Sequence, residues 1–155
     1  MATIRALRLF GLTFGPYLGA GIRVKSVTQD LRHVVVAMKL RWYNRNWIGT
    51  HFGGSLYSMT DPFYMLMLLG EQNLGRGYRV VDKAGSIEYV ALGRGEVSAE
   101  FSLTEQQIRD IVATASDGAG HDIYFSVDVV DEQGQTVAKV KKTLYVKKKP
   151  PKAKL

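Results

Sequence analysis

The sequence contains no cysteine. Disulfide bonds, thiolate zinc sites and a cysteine nucleophile are therefore excluded, and the composition fits a reducing compartment. Histidine is also rare, because only His33, His51 and His121 occur and they are widely spaced. Three scattered histidines do not indicate a metal centre. We therefore expect no metal and no cofactor.

Long hydrophobic runs are absent as well. The longest, at residues 62–69, has eight residues, whereas a membrane-spanning helix needs about 20. Near the N-terminus, Gly11, Gly15 and Pro16 interrupt the apolar residues before the hydrophobic region of an export signal could form. The sequence thus predicts neither a membrane span nor a secretion signal, and we expect a cytoplasmic protein.

The length of 155 residues is that of one domain, since a domain usually has about 100–200 residues. Hydrophobic residues make up 46% and charged residues 23% of the chain, which are ordinary proportions for a globular protein. We predict one domain at residues 1–146, with an N-terminal flank at residues 1–16. In that flank, apolar and basic residues at 4–9 predict a short helix that the glycines and proline at 11–16 end.

The positive charge is concentrated at the C-terminus. The chain has a net charge of +7, and five of its lysines lie within residues 147–155, where no acid is present. Because Pro150 and Pro151 interrupt this segment, we predict a disordered basic tail. Such a tail can attract polyanions weakly. No nucleic-acid-binding motif accompanies it, so we expect no specific nucleic-acid partner.

Alternation of apolar and polar residues predicts six β-strands. Within residues 96–103, for example, Val97, Ala99 and Phe101 would face one side of a sheet. Glycine-containing turns separate neighbouring segments, as at 93–95. The predicted strands cover residues 22–28, 33–41, 80–92, 96–103, 123–130 and 136–146.

A long apolar segment predicts a central helix. From Gly53 to Leu69 nearly every side chain is apolar, which is typical of a helix that is buried on all sides. Pro62 should kink this helix, because proline lacks the N–H group that would donate to the preceding turn.

A second helix is predicted on the outside of the domain. Thr104 and Gln107 have the spacing of a capping box, and the amphipathic pattern that follows ends before Gly118. Six antiparallel strands with one apolar central helix predict an α+β protein in which a curved sheet wraps around that helix. This architecture is the hotdog fold.

The segment at residues 46–61 reads NWIGTHFGGSLYSMTD. Its asparagine, Gly-Thr pair, Gly-Gly pair and final aspartate follow the pattern of hotdog-fold acyl-CoA thioesterases of the phenylacetyl-CoA thioesterase-like group. The sequence resembles that group and is most similar to a branch of it catalogued as a domain of unknown function. The resemblance extends over residues 16–148 and implies hydrolysis of an acyl-CoA thioester.

One position departs from that group. Many of its members carry histidine directly before the Gly-Gly pair, whereas this sequence has Phe52 there and His51 one position earlier. The departure leaves two interpretations of His51: it contacts the substrate, or it is a loop or dimer-contact residue.

Thioester hydrolysis needs donors for the developing oxyanion and a base for the attacking water. The N–H groups of Gly53 and Gly54 at a helix start could meet the oxyanion. Asp61 could take the proton from water, and Asn46 could orient the carbonyl or the water. Each residue also has a structural interpretation. The glycines could allow close packing, Asn46 could shape a loop, and Asp61 could begin a helix before Pro62.

The spacing of these residues predicts an oligomer. In a continuous helix Gly54 and Asp61 would lie about 10 Å apart, which is too far for both to act on one carbonyl. We therefore expect a homodimer or homotetramer in which Asp61 of one subunit faces the glycine pair of another. The resemblance implies the same arrangement, with the acyl chain and pantetheine arm in a tunnel between subunits. The residues expected to contact the substrate are Thr50, His51, Phe52, Tyr57 and Arg94.

The sequence leaves more than one class of function open. Hydrolysis of an acyl-CoA is the first. The alternative is a non-catalytic hotdog protein that binds acyl-CoA or fatty-acyl groups, an interpretation favoured by Phe52 and by the kink at Pro62. The third class is dehydration or hydration. The sequence does not favour it, because it lacks the paired catalytic histidine and acid that hotdog enzymes of this class resemble one another in having.

Overall fold

The computed structural model describes residues 13–150. Within this range the chain alternates between short helices and the strands of one sheet. The helices are α1 (Gly15–Ala20), α2 (Gly53–Ser58), α3 (Phe63–Leu68) and α4 (Glu105–Thr114), with short 3-10 helices at Gly75–Gly77 and Ala115–Asp117. The strands are β1 (Ile22–Val27), β2 (His33–Lys39), β3 (Tyr78–Tyr89), β4 (Glu96–Ser102), β5 (Gly120–Asp131) and β6 (Thr136–Lys148).

All six strands pair antiparallel in one sheet, in the order β1-β2-β4-β5-β6-β3. The prediction of six antiparallel strands is confirmed, and each predicted span lies within a few residues of the observed one. Among the described residues, β1 and β3 are the edges of the sheet. β3 has 12 residues and pairs there with β6 alone.

The central helical segment covers the inner face of the sheet. On β2, Val34, Val36 and Met38 are fully buried beneath it. Phe63 of α3 packs on β4, with its ring centroid 5.0 Å from that of Phe101. A curved sheet around a helical segment is the predicted α+β hotdog fold, which is confirmed.

The central helix itself is not continuous. α2 and α3 have six residues each, and the chain turns between them at Asp61 and Pro62, which a cis peptide bond joins. Pro62 has no N–H group that could donate to the preceding turn. The N–H of the residue before it, Asp61, donates to the Ser58 carbonyl at 3.2 Å. The expectation of one long helix is thus corrected, and the kink predicted at Pro62 is a complete break. No helix within residues 13–150 is long and apolar enough to cross a membrane.

The outer helix α4 begins as predicted. The Thr104 hydroxyl accepts from the Gln107 N–H at 3.1 Å, and the Gln107 side-chain oxygen accepts from the Thr104 N–H at 2.8 Å. These reciprocal bonds are the expected capping box. Ile108 and Ile111 point into the core, and the chain leaves the helical region at Gly118, whose φ is 74°.

The two ends of the described range bear on the predicted flank and tail. Pro16 lies in the first turn of α1, where its missing N–H costs nothing. The helix predicted at residues 4–9 lies outside the described residues. At the other end, Lys147 and Lys148 belong to β6 and not to a tail. Residues 151–155 lie outside the described range.

Candidate functional site

The segment from Gly53 to Asp61 runs along the inner face of the sheet beside the edge strand β3. At its start, a Cβ atom on Gly53 would lie only 2.9 Å from the ring of Tyr89, at the end of β3. One helical turn later, the Tyr57 hydroxyl lies against Gly85, near the middle of the strand. Gly53 and Asp61 therefore lie at opposite ends of this segment.

Asp61 reaches a buried lysine on the neighbouring strand. The Nζ atom of Lys142, on β6, lies 2.6 Å from Oδ1 of Asp61 and 3.0 Å from Oδ1 of Asp82. The Lys142 side chain is only 4% exposed, whereas that of Asp61 is 50% exposed. Lys142 is thus a buried cation between two carboxylates, one of which remains open to solvent.

A β-bulge places Gly85, rather than Ala84, opposite this lysine. Asp82 pairs with Leu144 and Ala84 with Thr143, so Lys83 is the extra residue of β3. Lys83 binds Asp122, with its Nζ 2.6 Å from the carboxylate. Without the bulge, strict alternation would turn Ala84 inward next to Asp82.

Two tyrosines complete the surroundings of the lysine. The ring centroid of Tyr57 lies 5.5 Å from Lys142 Nζ, in cation–π contact. Gly85 makes this position possible, because any Cβ there would collide with the Tyr57 hydroxyl. Tyr17 of α1 is 1% exposed, and its hydroxyl donates to the main-chain carbonyl of Asp61. The turn at Asp61 is therefore fixed from both sides.

The electrostatics of the cluster follow from its burial. Burial raises the pKa of the Asp82 carboxyl, and Lys142 offsets part of this rise. Burial by itself lowers the pKa of Lys142, but its contacts with Asp61 and Asp82 outweigh that effect and leave the pKa above its ordinary value. Lys142 therefore stays charged at neutral pH, and Asp82 takes up a proton at a higher pH than an ordinary aspartate does.

Asn46 lies in a different place, in the loop that precedes α2. Its side-chain nitrogen donates to the Thr50 hydroxyl at 2.8 Å and to the His51 carbonyl at 3.2 Å. Its side-chain oxygen accepts from the N–H groups of Ile48 and Thr50 at 3.1 and 3.0 Å. All the hydrogen-bonding positions of the amide are thus used within the loop. These bonds favour the interpretation that Asn46 shapes a loop, and its action on a carbonyl or a water stays a prediction.

Thr50 and His51 are buried in the same loop, with 2% and 3% exposure. The His51 ring nitrogen Nε2 lies 3.1 Å from the Gly95 carbonyl, and the His51 N–H donates to the Gly93 carbonyl at 3.0 Å. Burial lowers the pKa of His51, so its ring is neutral at neutral pH. Both residues hold the loop together, and their contacts with a substrate stay a prediction.

The glycine pair lies beneath two aromatic rings. Phe52 packs against Gly54, just as Tyr89 packs against Gly53, so a side chain at either glycine would displace a ring. Both rings are about half exposed, at 55% for Phe52 and 53% for Tyr89. Because Gly53 and Gly54 are the first two residues of α2, the helix supplies no acceptor for their N–H groups.

The predicted site residues thus fall into separate groups. Asp61 and Tyr57 lie together at Lys142, whereas Gly53, Gly54 and Phe52 lie at the other end of the segment. Arg94 is exposed in the turn that binds His51. Within one chain, the structure does not bring the predicted base and the predicted oxyanion donors together.

Sequence reasoning missed Lys142, Asp82 and Tyr17. A signal for the first was present, because alternation along β6 places Lys142 on the same face as the buried residues Val140 and Leu144. A lysine in an inward-facing series needs a buried partner. The requirement for a partner predicts that an acidic side chain lies next to Lys142 in the folded protein.

Comparisons with known proteins agree with this fold. Residues 5–146 match the family model DUF4442, a domain of unknown function. A candidate thioesterase from Pseudomonas aeruginosa is similar in structure, with a TM-score of 0.82 and 18% identity over 94% of this chain and 95% of its own. A candidate thioesterase from Shewanella oneidensis has a TM-score of 0.69 and 20% identity over 94% and 97%. A thioesterase from Haemophilus influenzae has a TM-score of 0.67 and 14% identity over 99% and 96%. No protein of curated function matches.

Proposed function

Because the chain belongs to the DUF4442 family and shares its fold with proteins named as thioesterases, we propose that it hydrolyses an acyl-CoA or a related acyl thioester. The observation that carries the proposal is the state of Asp61. Its carboxylate is held at one oxygen by a buried ammonium, and its side chain remains half exposed. A fixed and accessible carboxylate is suited to act on a bound water.

The reaction can be followed atom by atom. Asp61 takes a proton from a water while the water oxygen attacks the thioester carbonyl, which gives a tetrahedral oxyanion. When the intermediate collapses, the carbon–sulfur bond breaks and the thiolate leaves. The proton on Asp61 then passes to the thiolate, and the products are a carboxylic acid and a free thiol. Asp61 returns to its starting state.

The oxyanion donors proposed for this step are the N–H groups of Gly53 and Gly54. Both lie at the start of α2, where main-chain N–H groups have no helical acceptor. Within one chain they border the Tyr89 end of β3, while Asp61 and Asp82 border the first half of that strand. Asp82 and Tyr89 are about 20 Å apart along a strand of this geometry. One chain therefore does not complete the site.

Two chains would complete it through the open edge of β3. Its 12 residues present unpaired main-chain groups to one side within the described structure, and such an edge can pair with a second copy. Antiparallel pairing about a two-fold axis would bring the Tyr89 end of one copy to the Asp82 end of the other. The glycine pair of each subunit would then approach Asp61 of its partner. This supports a homodimer, which could assemble further into a homotetramer.

We propose that Phe52 and Tyr57 contact the substrate. Phe52 is exposed above the glycine pair, and Tyr57 lies beside Lys142 at the other end of the segment. In the proposed dimer, Phe52 of one subunit and Tyr57 of the other would line the same tunnel for the acyl and pantetheine groups. Arg94, which is exposed in a nearby turn, is kept as a proposed contact for the charged part of the thioester.

The test is release of free thiol from a panel of acyl-CoAs that differ in chain length and head group. We expect at least one substrate to be turned over, and we expect Asp61→Asn to lower kcat by about 10²–10⁴ while product CoA binds within a few-fold of wild type. Asp110→Asn, which removes an exposed carboxylate on α4, is the matched control. Near wild-type turnover by Asp61→Asn would refute the role of Asp61.

The alternative function is binding of acyl-CoA without turnover. The observations that favour it are the ion pair that occupies one oxygen of Asp61 and the Phe52 ring that covers Gly54. Under this alternative, calorimetry detects binding of an acyl-CoA, and no member of the panel releases thiol.

A further inference from the structure

The two carboxylates that contact Lys142 differ in their access to solvent. The Asp61 side chain is half exposed, whereas both carboxylate oxygens of Asp82 are closed to solvent. Within residues 13–150 neither Asp82 oxygen accepts a well-aligned hydrogen bond, and its polar neighbours are Lys142, in a 3.0 Å ion pair, and the Asp61 carboxylate, which raises the pKa of Asp82 further. Asp82 therefore cannot act on a substrate directly. It can act through the lysine.

We propose that Asp82 is a positioning residue that keeps Asp61 able to accept a proton, and that it acts through Lys142. The proposal rests on the hydrolysis proposed above, in which the Asp61 carboxylate takes a proton from the attacking water.

The charges around Lys142 change during that step. Before it, one buried ammonium faces two carboxylates. When Asp61 takes the proton it becomes neutral and no longer compensates Lys142. If Asp82 were also neutral, the ammonium would be left buried without an anion, which is strongly unfavourable. An ionised Asp82 keeps the lysine paired throughout, so that protonation of Asp61 remains possible.

The other groups that face Asp61 cannot replace Asp82 in this role. Tyr57 of α2 presents its ring to the ammonium. Tyr17 of α1 donates to the Asp61 main-chain carbonyl, and burial raises the pKa of its hydroxyl, so it stays neutral. On β3 and β6, the charged groups that face the cluster are Asp82 and Lys142, and Lys83 and Lys141 lie exposed on other faces. Among the described residues, Asp82 is therefore the counter-ion that remains when Asp61 is protonated.

The proposal is tested by carbon NMR titration of the aspartate side-chain carboxyl groups. The Asp61 signal is assigned by its absence in Asp61→Asn. In Asp82→Asn we expect the midpoint of the Asp61 titration to move to lower pH by about one unit or more, because the ammonium then faces Asp61 alone. The matched control is Asp122→Asn, which removes the 2.6 Å partner of Lys83 and should leave the midpoint in place. An unchanged or raised midpoint in Asp82→Asn overturns the proposal.

Lys142→Met provides a second measurement should Asp82→Asn not fold. Removal of the cation leaves Asp61 beside a carboxylate, so the midpoint should rise by about one unit or more. No rise would contradict the proposal. The NMR titration needs no turnover. If no acyl-CoA releases thiol, the proposed function is refuted, and the titration still decides whether Asp61, Lys142 and Asp82 are coupled. If turnover is found, the acid limb of the pH profile of kcat should shift in the same directions, which a merely structural role would not produce.

Discussion

The Nζ atom of Lys142 lies 2.6 Å from Oδ1 of Asp61, although the two residues are 81 positions apart in the sequence. The contact ties the turn between α2 and α3 to the central part of β6. Because Lys142 is buried and its strand is paired on both sides, the sheet fixes its main chain and packing restrains its side chain. Asp61 is thereby oriented before any ligand binds, which is how a rigid scaffold prepares a reactive group.

Lys142→Met should destabilise the protein at neutral pH. The change leaves two neighbouring carboxylates without their cation. Loss of one partner from a fully buried ion pair costs about 3–5 kcal/mol, and the half exposure of Asp61 should keep the loss below that range. The loss should shrink in acid, because the carboxylates then become protonated. Thermal unfolding at both pH values measures the effect. Lys141→Met, which changes the exposed neighbour on the same strand, is the control, and an equal Tm loss in the two variants would contradict the prediction.

Asp82→Asn should change the dependence of stability on pH. Burial raises the pKa of Asp82 in the folded protein, so folding favours its protonated form. The stability from that protonated form is fully present below the ordinary pKa of aspartate and is lost as pH rises through the raised value. Asparagine does not ionise. The Tm of the variant relative to wild type should therefore increase as pH rises from about 4 to about 7, and a relative Tm that decreases over this range would show that the sign is wrong.

Gly53→Pro should remove one proposed oxyanion donor without breaking α2. Proline is favoured at the first position of a helix, and the preceding Phe52 has the extended conformation that proline requires, with ψ at 128°. The ring of Tyr89, which the new side chain would meet, is half exposed and can move. We expect a folded protein whose kcat is lower by about 10²–10³. Unchanged kcat would assign Gly53 to packing alone.

Mixing two inactive variants tests whether subunits share a site. If Asp61 of one chain acts with Gly53 of the other, a mixed dimer of Asp61→Asn and Gly53→Pro contains one site that carries both changes and one that carries neither. Random exchange of subunits should then restore about one quarter of wild-type activity. Measurement after refolding an equimolar mixture decides the matter, because sites built within one chain would give no recovery.

Asn46→Ala should affect stability more than chemistry. The variant leaves the N–H groups of Ile48 and Thr50 and the Thr50 hydroxyl without the partner they have in the structure. Loss of such a set of bonds in a partly buried loop costs about 1–3 kcal/mol. We expect a lower Tm and, at temperatures where the variant is folded, a kcat within about tenfold of wild type. A kcat loss as large as that of Asp61→Asn, with unchanged Tm, would restore Asn46 to the reaction.

The sequence predicted the elements of the fold because each has a local signal. Alternation marks β4 through Val97, Ala99 and Phe101, and the spacing of Thr104 and Gln107 marks the start of α4. The candidate site was predicted less completely, since its partners come together through tertiary structure. Asp61 was identified from a motif in the neighbouring sequence, whereas its partners lie on β3 and β6.

Two site features had no local signal to read. Gly85, rather than Ala84, lies opposite Lys142 because Lys83 is a bulge residue, and this one-residue shift in register depends on pairing with β6 rather than on composition. The type of residue makes Asn46 a candidate both for chemistry and for shaping a loop, and only the structure shows that its side chain forms four hydrogen bonds within the loop. The hydrogen-bond partners of such a side chain are known only once the course of the main chain around it is known.

The final prediction concerns the end of β6. Lys147 pairs with Arg79 of β3 and Gly120 of β5, and the Lys149 N–H donates to the Gly77 carbonyl at 2.8 Å. Truncation after Val146 removes these contacts from two strands at once, so it should lower Tm by several degrees. Truncation after Pro150 keeps all of them and is the matched comparison. We expect the longer protein to match wild type in Tm, and equal melting of both truncated proteins would show that the last residues of β6 do not contribute to the stability of the sheet.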